Sequence, residues 1–224
     1  MTDQDHLQEL ARIRGLMDRS TRFLSLSGLS GVLAGAAALV GAFAARAHYT
    51  ALYASGSVSR EHEGLNQYDP ARIIERGFSE HVAFLVLDGL MVLAIALIGA
   101  LWFTWRRSKR TGQGLWDASA RRMLWNLLIP LAAGGLFTLA LLWNGAVLMA
   151  PSATLVFYGV ALLNASKYTL DEIRWLGLSE IALGVVAAFW PTAGLLFWAL
   201  GFGVLHIFYG GLMYLRHERG NAAA

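Results

Sequence analysis

Charge in this sequence comes in blocks, and no other feature constrains the fold as much. Between the charged segments lie apolar runs of about 20 residues, the length at which a helix rising 1.5 Å per residue crosses the hydrocarbon of a bilayer. Six runs can be marked, at about 23–45, 82–105, 123–149, 151–166, 175–190 and 192–215. Only 15% of residues are charged, against roughly 25% in a soluble domain, and a charge at mid-membrane costs a few kcal/mol or more. The pattern predicts an all-α polytopic membrane bundle of six transmembrane helices.

Lysine and arginine in short loops set the direction of the spans. Arg12, Arg14, Arg19 and Arg22 precede the first run; Arg106, Arg107, Lys109, Arg110, Arg121 and Arg122 follow the second; Lys167 and Arg174 follow the fourth; Arg216 and Arg219 follow the sixth. With six spans all four groups fall on one side, which predicts both termini in the cytoplasm and a multi-pass protein of the inner membrane. The net charge of +3 then reports topology, and nucleic acid is not an expected partner. The expected organisation is a cytoplasmic amphipathic helix over 1–22, with Leu7, Leu10, Ile13 and Met17 at helical spacing, and a membrane domain over 23–215. That domain has an outer loop at 46–80 and a cytoplasmic loop at 106–122; a cytoplasmic tail follows at 216–224. Pro151 reads as a tight turn after the third span, Pro130 as a kink within it, and Thr169 with Glu172 as a capping box for the fifth.

Asp88, Glu180 and His206 fall inside spans, where ionisable groups usually face a partner or a water-filled cavity. Counting at 1.5 Å per residue places Asp88 about 10 Å from the outer boundary, Glu180 about 9 Å and His206 about 15 Å from the inner one. Reflecting Glu180 through a hairpin at Pro191 lands near position 202, one turn from His206, so a Glu180–His206 contact is geometrically reasonable, while the rotation of the two helices, and hence whether the side chains touch, stays open. Asn126, Asn144 and Asn164, with Tyr158, Ser179 and Tyr209, complete the polar set. These residues form either a polar path for an ion or proton, or a set of helix-to-helix bonds that fix the packing. The glycines of the first and sixth spans read as close-packing positions, and the tryptophans near span ends as an interfacial belt.

The sequence has no cysteine and no HExxH, Walker, GxSxG or CxxC pattern, so no catalytic residue, metal ligand set or cofactor is assigned. Glu61, His62 and Glu63 with His48 and His81 have poor spacing for a metal. Two stretches near the ends of the chain, Met17 to Gly31 and Phe197 to His206, together with Tyr168 through Glu180, resemble an uncharacterised group of bacterial inner-membrane proteins. The resemblance implies a bacterial membrane protein and no activity. Two functions stay open: passage of a small solute, ion or proton along the polar residues, or a non-transporting scaffold, accessory subunit or sensor. Beyond the lipid bilayer, the partners expected are a small solute or ion, a second copy, or another membrane protein.

Overall fold

The computed structural model describes residues 26–54, 80–111 and 116–219, and every regular element among them is helical. Six helices follow one another: α1 (Gly28–Ala54), α2 (Glu80–Thr111), α3 (Ala118–Trp143), α4 (Ala150–Ala165), α5 (Asp171–Phe189) and α6 (Pro191–His217). Five of them, with α4 counted together with its flanking 3-10 turns, are long and apolar enough to cross a membrane. The exception is α5, whose 19 residues include Asp171, Glu172, Arg174 and Glu180. The chain is a multi-pass membrane protein. The expected amphipathic helix over 1–22 and most of the outer loop lie outside the described residues, among them Glu61, His62 and Glu63.

Several boundaries differ from the sequence expectation, each for a local reason. The third helix stops at Trp143 instead of running on to Met149. Gly145 takes φ 74°, its N–H bonds to Leu142 O at 3.1 Å, and the Ala146 N–H reaches back to Leu141 O at 2.8 Å. This is a Schellman stop with glycine in the left-handed position. The turn therefore falls at Asn144–Ala146, and Pro151 lies in the first turn of α4, where a missing N–H costs nothing. The helix expected to begin at a Thr169 cap starts one residue later, at Asp171. Leu170 holds the N-cap position without a side-chain bond, and Thr169 is buried. The loops are also shorter than expected, because α1 continues to Ala54, α2 to Thr111 and α6 to His217. Helix α3 runs unbroken through Pro130.

Two helices organise the bundle. α1 lies between α2 and α6, and α4 lies between α3 and α5 while touching the start of α6. Small residues make these approaches possible. A Cβ on Gly210 would stand 2.7 Å from Gly28 O and 2.8 Å from Val32 N, and one on Gly177 would stand 2.8 Å from Gly159 O. The glycine stripes are thus used in packing within the chain, backbone against backbone. A buried cluster of Leu162, Leu170, Ile173, Leu176 and Met213 joins α4, α5 and α6. By contrast α2 and α3 are peripheral and show long apolar faces, including Leu97, Ile98 and Leu101 on one and Ile129, Leu136 and Phe137 on the other. Seven of the eight tryptophans are exposed, mostly near helix ends.

One end of the bundle is tied by charge. Glu218 accepts from the Gly28 N–H at 2.6 Å and the Ser27 hydroxyl at 3.1 Å, capping α1, and pairs with Arg107 of α2 at 3.3 Å. Arg107 also donates to Leu26 O and to His217 O. Next along the chain, Arg216 and His217 each stand 3.2 Å from Glu172 of α5.

Candidate functional site

The middle of α6 is not an α-helix. Ala199–Leu205 form a π-helical segment, continuing as α-helix from His206. Wider turns of this kind recur at functional sites, and here Gly201 and Gly203 sit within it. Glycine at 201 is required by what packs there. A Cβ would collide with Glu180 Oε2 and stand 2.5 Å from Leu155 Cδ2. The carboxylate of Glu180, reaching from α5, therefore lies directly against the α6 backbone.

Glu180 is 0% exposed and His206 6%. His206 Nδ1 lies 3.4 Å from Glu180 Oε1, within ion-pair distance. Its stronger contact is with Gly201 O at 3.0 Å, and among the described residues neither Glu180 oxygen receives a hydrogen bond. The imidazole N–H at Nδ1 is committed to the Gly201 carbonyl, and the carboxylate is close without being bonded. On the other side of the ring, His206 Nε2 is 2.8 Å from the Tyr158 hydroxyl of α4. With Nδ1 protonated toward Gly201, the neutral ring accepts from Tyr158 at Nε2; a charged ring donates to the same oxygen. An aromatic wall closes this side, with Tyr158 and Phe202 at 4.9 Å and Trp198 and Phe202 at 5.0 Å between centroids.

Compared with known proteins, the chain matches no family model, no curated sequence and no solved structure. Its site is therefore read from its own chemistry. Three elements, α4, α5 and α6, bring Tyr158, Glu180 and His206 into one buried constellation. The Glu180–His206 contact that the spacing allowed is present.

The other expected polar residues do not join it. Asp88 faces Gly41 of α1, where a Cβ would meet Oδ2 at 3.1 Å, and it is only partly buried. It lies where the peripheral α2 packs on α1, away from Glu180 on α5. Asn126 and Asn144 donate to carbonyls of their own helix, Arg122 O at 2.8 Å and Ala140 O at 2.7 Å, and Asn164 accepts from Lys167 at 3.3 Å. Each is satisfied within one turn of its own position. Ser179 and Tyr209 do meet across α5 and α6, at 3.4 Å. Among the described residues no three His, Asp or Glu side chains gather where a metal ion could be held. Sequence reasoning named Gly201 as a packing position and Tyr158 among the polar residues but missed that they adjoin Glu180 and His206; the glycine pair 201 and 203 in an apolar run was the signal.

Proposed function

We propose that the chain crosses the bacterial inner membrane six times, with both termini cytoplasmic, and moves protons through the bundle by way of Glu180 and His206. The observation that carries the reading is a wholly buried carboxylate with no hydrogen-bond donor among the described residues, beside an imidazole whose two nitrogens both have other partners. A carboxylate kept for packing would be bonded, since a buried unpaired polar group costs about 1–3 kcal/mol. A carboxylate that alternates between charged and neutral cannot be fully satisfied in both forms. The Tyr158 hydroxyl suits the same cycle, because it can donate to a neutral ring and accept from a charged one.

The sixth crossing is α5. It is packed between α4 and α6, and Glu180 points into protein instead of lipid, which removes the objection that its charge raises. The orientation is supported by the contacts that gather Leu26, Arg107, Glu172 and Arg216 at one end of the bundle, each within or a few residues from one of the four basic segments in the sequence.

Proton flux into vesicles reconstituted with the full chain, followed with an interior pH dye under an imposed potassium diffusion potential, tests the proposal. Wild-type vesicles should acidify faster than protein-free ones, and Glu180→Gln should lose that excess by roughly a hundredfold. A wild-type rate equal to the protein-free rate, or a Glu180→Gln rate equal to wild type, overturns it. In that event the second reading takes over: a non-transporting scaffold, accessory subunit or sensor. The near-complete burial of the pair is the observation that favours it.

A further inference from the structure

The interface between α5 and α6 carries a second glutamate–histidine pair. Glu172 Oε1 stands 3.2 Å from His217 Nε2, as Glu180 Oε1 stands 3.4 Å from His206 Nδ1. Eight residues separate the two glutamates, so they share a face of α5 about 12 Å apart along its axis. Eleven residues, or about three turns, separate the histidines on the regular α-helical part of α6, which again puts them on one face.

The two pairs differ in access. Glu180 and His206 are sealed, whereas Glu172 and His217 border a cleft of about 350 Å³ whose walls include Trp175, Tyr209, Leu212 and Arg216. At about 30 Å³ per molecule such a space holds on the order of ten waters. One of its walls is Tyr209, three residues from His206 on α6. The Tyr209 hydroxyl also meets Ser179, the residue before Glu180. Water in the cleft thus comes within about one helical turn of the sealed pair.

We propose that this cleft is the proton port of the Glu180–His206 site. Protons enter from water at Glu172 and His217, cross the cleft water to the Tyr209 and Ser179 hydroxyls, the latter also donating to Trp175 O at 2.9 Å, and reach Glu180, one residue along α5, when its unbonded carboxylate turns to meet them. Each hydroxyl releases one proton as it receives another, so neither changes its net state. Arg216 and His217 face Glu172 from α6, and Asp171 stands beside it at the cleft. The port rests on the proton-site reading above.

The absence of cysteine allows a clean test in the full chain. Leu212→Cys puts a unique thiol in the cleft wall, and Leu215→Cys puts one at an exposed position close by that does not line it. A cationic, membrane-impermeant methanethiosulfonate is added from the face carrying Arg216, and proton flux is measured before and after, then again after reduction. The port requires labelling of Leu212→Cys to slow flux by about tenfold or more, with full return on reduction, and labelling of Leu215→Cys to leave flux unchanged. Recovery on reduction separates blockage from damage to the fold. Unlabelled Leu212→Cys, or labelled Leu212→Cys with undiminished flux that still depends on Glu180, overturns the port and leaves the proton site standing. Absence of Glu180-dependent flux before any labelling overturns the proton site, and the port with it.

Discussion

Replacing Glu180 by leucine should make the protein more stable. The side chains are of similar size, and the position is fully enclosed, so no large cavity opens. The change removes two oxygens that lack donors among the described residues and strands nothing in return, because His206 keeps Gly201 O at 3.0 Å and Tyr158 at 2.8 Å. Relieving a buried unsatisfied group is worth about 1–3 kcal/mol, in line with the gain seen when buried ion pairs give way to apolar residues. For a chain of this length about 2 kcal/mol corresponds to a midpoint shift of roughly 4–8 °C. His206→Ala should move the other way by a similar amount, since it removes the imidazole partner of the Tyr158 hydroxyl and leaves a void. Equilibrium unfolding by added SDS in mixed micelles reads both. If Glu180→Leu were destabilising by as much as His206→Ala, the two residues would be a structural ion pair, and the argument that Glu180 is held for a changing protonation state would fail.

Other perturbations test the packing and the charged end. Gly210→Val should destabilise by about 1–3 kcal/mol in the same assay, because a side chain there meets the α1 backbone, while Gly211→Val, with open space around it, should be nearly silent. Ser152→Ala deletes a 2.6 Å bond from α4 to Gly184 O of α5 and should cost about 0.6–1 kcal/mol. Burial pushes the Glu172 carboxyl up, but its backbone hydrogen bond and the bonds from His217 and Arg216 outweigh this and hold it below its ordinary value of 4.5. Its contribution to stability is therefore complete above pH 4.5 and is lost as pH falls through the lowered value. Glu172→Gln should flatten the acid limb of a stability–pH curve measured in detergent, and an unchanged limb would show that the carboxylate carries none of it.

Hydropathy and charge made most of this architecture legible, because the bilayer imposes the same length rule on every span. That Glu180 and His206 lie within a turn of each other was legible too, from one turn at Pro191 and the rise of a helix; the helix rotation that brings them into contact was not. What escaped depends on context that one segment does not contain. The π segment of α6 accompanies the approach of Glu180 and Leu155 to Gly201, a contact between three helices. The asparagines look like bundle-spanning polar groups in a linear reading, yet each finds a carbonyl or lysine within its own turn, where local bonding competes well. Asn144-Gly145 was a readable helix stop, overshadowed by the proline six residues on. The tail charges at Arg216, His217 and Glu218 signalled only sidedness, although three consecutive residues there serve two separate contacts.

That tripeptide has a consequence for how the chain assembles. Glu218 closes on Gly28, 190 positions earlier in the sequence, while Arg107 joins them from between. Translation reaches residue 218 after every helix has emerged, so the start of α1 must wait, uncapped, through the synthesis of all the others. Long-range closures of this kind slow folding and leave partly built intermediates exposed. A nascent chain stopped before Arg216 would keep the bond from Arg107 to Leu26 O but lack the contacts of Arg216, His217 and Glu218 that fasten α6 to α1, α2 and α5, which makes residues 216–218 a late checkpoint for assembly of the six helices.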